Sequence, residues 1–144
     1  MENSVTNVRK DYLFTRATGI YNLRSAEQIL ANLIQRGQEH GLSKIVCDVR
    51  SVKGLEPSMP MIALHGISRM ITRLLPGTTR LAVIGKSEKY GVAEDLMRKK
   101  GIQVLFTADY RKAIRWLRLA RDIAATPALR NAGREDIFFI AAEY

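Results

Sequence analysis

The sequence predicts one α/β domain built on a mainly parallel sheet of four to five strands with about four crossover helices. Three observations predict it. Short β-branched and aromatic runs alternate with helical stretches of about ten residues or more, the pattern of strand–helix–strand crossovers. The run Ile45-Val46-Cys47-Asp48-Val49 is apolar on both faces until Asp48, as a central strand covered by helices on each side requires. A chain of 144 residues, 47% hydrophobic, is also long enough for one real core, because at that size a domain buries roughly 68–70% of its unfolded surface.

The elements follow in order. Tyr12 to Thr18 is aromatic and β-branched and stops at Gly19, which predicts the first clear strand; Val5 to Val8 forms a short edge strand that turns at Lys10-Asp11. Ser25 reads as an N-cap, with Gln28 completing a capping box. Behind it Ala26, Ile29, Leu30, Leu33 and Ile34 recur at helical spacing, and Gly41 supplies the left-handed stop after His40. Ile45 to Val49 is the central strand, and Arg50 to Pro57 reads as a loop. Ser58 caps the next helix, where Pro60 is tolerated because the first turn has no partner for its missing N–H. Met61, Leu64, Ile67, Ile71 and Leu74 form its inward face, His65, Arg69 and Arg73 line another, and Pro76-Gly77 ends it.

Leu81 to Gly85 is the third parallel-type strand. Gly91 to Lys100 follows as a short helix, acidic at Glu94 and Asp95, basic at Arg98, Lys99 and Lys100, and stopped by Gly101. Ile102 to Phe106 is the fourth strand, and the last helix runs from near Asp109 to about Ala124, where Thr126-Pro127 breaks it. The domain is thus expected over 1–125, with 126–144 as a tail. Its apolar run Ile137 to Ile140 is expected to dock on the domain or on a second subunit, the second of which would give a homodimer.

Composition narrows the function classes. There are 23 basic and 14 acidic residues, a net charge of +9 that favours anionic partners without bearing on the fold. The single cysteine, Cys47, leaves no internal disulfide and no multi-cysteine zinc site, and it suits a reducing, cytoplasmic compartment. No apolar run reaches the roughly 18–20 residues of a membrane span.

Several stretches resemble a known family. Lys44-Ile45-Val46-Cys47-Asp48-Val49-Arg50 is similar to the second core strand of STAS-like domains, the fold of bacterial anti-sigma-factor antagonists. Arg80 to Ile84, then Tyr90-Gly91, then Val104-Leu105-Phe106, then Ala113-Ile114-Arg115-Trp116-Leu117 follow in the order of a large, mostly uncharacterised bacterial branch of that superfamily. The resemblance spans Tyr12 to Leu117. It implies a parallel-rich sheet with about four helices and a non-enzymatic, cytoplasmic role in partner binding or signalling. Regulated members carry a phosphorylated serine in an Asp-Ser pair closely followed by Gly. Here the nearest equivalents are Ser58 and Ser51, flanked by Pro57 and Val52, so the scaffold carries over and the phosphoswitch does not.

Chemistry-bearing residues are few. His40 lies at a helix end and His65 one turn from Arg69, and neither stands beside a nucleophile in sequence; Cys47 reads as a small strand hydrophobe. No catalytic residue, metal site or cofactor is expected. Asp48 stands where receiver domains hold a phosphoacceptor, but the accompanying acidic pair and lysine are missing, so it is expected to bond to the Arg50–Gly54 segment. Gly85-Lys86-Ser87 is a fragment of a phosphate loop and reads as a turn.

Two surfaces remain. Parallel sheets bind ligands beyond the carboxyl ends of their strands, and that rim is expected to hold Asp48, Arg50, Pro57, Ser58, Met59, Gly85, Lys86, Tyr90 and Phe106. On the last helix Arg111, Arg115 and Arg118 fall on one face, flanked by Lys112 and Arg121, with Ala113, Leu117, Ala120 and Ala124 opposite and Trp116 at the border. The first expectation is a non-catalytic module that recognises a protein partner. The alternative is a carrier of a small apolar or anionic ligand at the rim. Nucleic-acid binding through the basic helix is the third reading, against which stands the lack of a run of aromatic residues interleaved with the basic ones.

Overall fold

Alternation along the strands decides which helix covers which face of the sheet. In the computed structural model, which describes residues 1–55, 61–86 and 90–125, the elements are β1 (Glu2–Val8), β2 (Leu13–Ile20), α1 (Leu23–Glu39), β3 (Lys44–Lys53), α2 (Met61–Leu74), β4 (Arg80–Ile84), α3 (Tyr90–Lys99), β5 (Gln103–Thr107) and α4 (Tyr110–Ala125). The sheet order is β1-β2-β3-β4-β5. β1 pairs antiparallel with β2 through a turn in which Arg9 N–H donates to the Tyr12 carbonyl at 2.9 Å. The other three pairings are parallel. The expected α/β architecture, a mostly parallel sheet with four helices, is the one observed.

Because β2 to β5 progress in one direction, crossovers of one hand place their helices on one face. Leu13, Ala17, Ile45, Val49, Leu81, Val83 and Val104 share a core with α1, α2 and α3. Their neighbours Phe14, Val46, Ala82, Ile84 and Leu105 point the other way and pack against Ala113, Trp116 and Leu117 of α4. Trp116, expected at the border of the charged stripe, is instead 4% exposed. Its ring supplies apolar area on a face that, among the described helices, α4 covers.

Other expectations are corrected in detail. Asn22, not Ser25, is the N-cap of α1: its side-chain oxygen accepts the Ser25 N–H at 3.0 Å, so Ser25 lies inside the first turn. Gly41 ends α1 as expected, at φ +67°. On α2 the inward face includes Met70, and Leu75 just past the helix end is more buried than Leu74. The central strand does not stop at Val49. It continues to Lys53, paired with β2 alone once β4 has ended at Ile84. The tail 126–144, with Ile137 to Ile140, and the rim residues Pro57, Ser58 and Met59 lie outside the described residues.

Candidate functional site at the carboxyl end of the sheet

The longer β3 makes this end of the molecule asymmetric. Between Asp48 and Ser51 the β3 strand advances three residues while β2 advances two, from Arg16 to Thr18, which is a bulge in β3. Asp48 serves that bulge. Its carboxylate is 2% exposed and accepts the Arg50 backbone N–H at 3.0 Å, Arg50 Nε at 3.0 Å and Arg50 Nη2 at 2.9 Å. Arg16 Nε stands 3.5 Å away. Burial pulls the acid upward, but the Arg50 hydrogen bonds and the charges of Arg50 and Arg16 outweigh it and hold Asp48 below the usual carboxylate range. The expected bond to the segment that follows is therefore present. It goes to a bulged strand rather than to a loop.

A cavity of about 70 Å³ lies under α1 and α2, walled by Tyr21, Cys47, Val49, Met70, Tyr90 and Phe106 among others. Tyr90 and Phe106 stack with centroids 4.7 Å apart and planes at 20°, forming one wall. So apolar a space offers a water no polar partners and does not hold it well. Cys47 sits on a central strand, so its residual accessible surface faces this cavity. Burial, and then the Asp48 charge, push its thiol up to about 12. Burial, and secondarily Tyr21, push the Tyr90 phenol up to about 12 as well.

Val49, Leu55 and Tyr90 also belong to a second, outer cleft of about 340 Å³, whose other lining residues are Arg50, Ser51, Val52, Lys53, Gly85 and Lys86. The inner cavity and outer cleft therefore share a wall. Gly85 lies close against it: a Cβ there would stand 3.2 Å from Val49 and 3.4 Å from the Tyr90 ring. Of the expected rim residues the structure brings together Arg50, Gly85, Lys86 and Tyr90, with Phe106 deeper inside. Asp48 is absent from the lining and acts through Arg50. Lys53, Ser51, Val52 and Leu55 were missed because Arg50 to Pro57 reads as a loop. The period-two placement of Val52 between Ser51 and Lys53 was the available signal.

The strand order also withdraws one argument for a site here. The general rule puts ligands where strand order reverses, and this order never does. The cleft rests on packing, not on topology.

The basic face is less available than its sequence implies. Arg111, Arg115 and Arg118 are all exposed, but Arg118 forks onto Asp11, Nε to Oδ2 at 3.0 Å and Nη2 to Oδ1 at 3.3 Å. Lys44 Nζ stands 3.8 Å from the same carboxylate. The pair ties α4 to the β1–β2 turn. Asp11 is held below its ordinary value, first by the Arg118 hydrogen bond, against a smaller upward pull from burial. Among the described residues no three of His, Cys, Asp or Glu stand close enough to share a metal ion, and no helix is long and apolar enough to cross a membrane.

The five-stranded, mostly parallel sheet with four helices is the α/β arrangement that the sequence's resemblance to STAS-like domains implies. No family model matches the sequence, and no curated protein matches it. Among solved structures it is similar to an uncharacterized protein of the DUF3478 family with a SpoIIAA-like fold from Shewanella loihica PV-4. The two are 18% identical over 78% of this chain and 90% of that one, with a TM-score of 0.46.

Proposed function

We propose that this chain is a non-catalytic cytoplasmic binding module whose ligand is a small molecule, held with an apolar end between the sheet and α1 and α2. One observation carries the reading: an apolar cavity at the carboxyl end of the sheet lies beside a cleft edged by Arg50, Lys53 and Lys86, with Val49, Leu55 and Tyr90 lining both. Ligand sites have this form, an apolar body with a few polar groups at its edge. Non-catalytic action is supported by the state of the reactive groups. The Cys47 thiol is raised far above neutral pH, and Asp48 is committed to Arg50. Native mass spectrometry of protein purified without additives tests the proposal. A retained mass that disappears on denaturation is the expected result; a bare chain that also shows no thermal shift with small organic acids and alcohols overturns it.

Recognition of a protein partner is the second reading. Val92 and Leu96 on α3 are 58% and 47% exposed and lie four residues apart, hence on one helical face. Two adjacent exposed apolar side chains are a modest patch, so the cavity is the stronger basis.

A further inference from the structure

The outer cleft carries charge as well as room. Arg50, Lys53 and Lys86 line it and all are exposed, while no acidic residue is among its described lining residues. Arg50 is neutralised from beneath by Asp48. Beyond the Tyr21 N–H bond to the Lys53 backbone carbonyl, the side chains of Lys53 and Lys86 have no ion pair or hydrogen bond to any described residue, in a chain that already carries +9. Two cations thus flank a cleft that shares Val49, Leu55 and Tyr90 with an apolar cavity of about 70 Å³. The cavity suits a short hydrocarbon group, whereas the cleft of about 340 Å³ takes a larger, hydrated head.

We infer that the ligand is a small amphipathic organic anion, with a short apolar end against Tyr90 and Phe106 and its anionic group between Lys53 and Lys86. The inference rests on the ligand reading above and adds the sign of the head group, the shortness of the tail and the two residues that recognise the charge. Lys53 and Lys86 are on the surface and fix no part of the core, so their removal leaves the cavity intact.

The test uses three probes of equal chain length on the full chain: pentanoate, 1-pentanol and pentylammonium, each followed by amide shifts in NMR titrations. Pentanoate is expected to bind about fivefold more tightly than 1-pentanol, the effect of two exposed ion pairs at roughly 0.5 kcal/mol each, and pentylammonium more weakly than both. In Lys53→Ala/Lys86→Ala the preference for pentanoate disappears while pentanol binding and thermal stability stay unchanged. Equal binding of pentanoate and pentanol to the wild type overturns the anionic head and leaves the ligand reading standing. A preference that survives the double substitution overturns the assignment to Lys53 and Lys86. Failure of all three probes to bind overturns this inference and the ligand reading together.

Discussion

Cys47 shows how far one residue's environment can override its intrinsic chemistry. A free thiol is nucleophilic as thiolate, but this one borders an apolar cavity beside an ionised Asp48, and both features disfavour a second negative charge. With the thiol raised to about 12, only a trace is ionised at pH 8. Reaction with a disulfide reagent in the native protein is expected to run at least about 100-fold slower than in urea. Comparable rates in the two conditions would show a thiol open to solvent and not part of the cavity wall. The sequence marked Cys47 as a buried hydrophobe, and that much was legible from a β-branched run. The neighbouring charge, and the cavity itself, depend on how side-chain volumes from five elements meet, which no one-dimensional pattern encodes.

At the level of elements, close approach of backbones fixes the turn that leads from α1 to β3. Gly37 lies in the last turns of α1, where a Cβ would stand 2.7 Å from the Leu42 carbonyl oxygen, and Leu42 N–H donates to the Gly37 carbonyl at 2.7 Å. Helix propensity alone favours alanine there by up to ~1 kcal/mol. A methyl group driven into a fixed carbonyl costs about 1–3 kcal/mol, so the steric effect wins. Gly37→Ala is expected to lower the urea midpoint, a net loss of roughly 1–2 kcal/mol. Gly91→Ala is the control, since nothing lies within 4 Å of its added Cβ, and it should leave the midpoint level or raise it. A rise for Gly37→Ala would mean that the turn to Leu42 yields easily. Element boundaries were legible where a single residue type dominates, as with Gly41 and Gly101, both at positive φ. They were misread where two residues compete. Asn22 and Ser25 are equally good caps, and Asn22 wins by adding most of a turn to the helix. At the end of β3, the bulge places polar residues where strand alternation is interrupted, so Arg50 to Lys53 resembles a loop.

Over the whole molecule, the +9 charge and the local carboxylate networks act on stability with different pH signatures. Every carboxylate that protonates adds to the self-repulsion of a basic chain, so acid destabilises any variant, and only differences between variants are informative. Asp48 and Asp11 have folded values below their ordinary ones. Each therefore contributes stability that is fully present above the unfolded value, about 3.9, and is lost as pH falls through the folded value. Glu94 works in the opposite direction: burial, against the Arg98 charge and the Phe106 N–H bond at 2.7 Å, raises it. Its contribution is present below about 4.3 and is lost as pH rises through the raised folded value. In stability measured by urea titration, Asp48→Asn should be less stable than wild type at pH 6–7, because Arg50 and Arg16 then face a neutral amide. The gap should narrow as pH falls below about 4 and the wild-type carboxylate protonates. Glu94→Gln isolates the opposite sign, its difference from wild type moving in favour of the variant as pH rises from 4 to 7. A gap for Asp48→Asn that stays constant down to pH 2 would mean that Asp48 acts only as a neutral acceptor for the bulge, with its charge making no contribution.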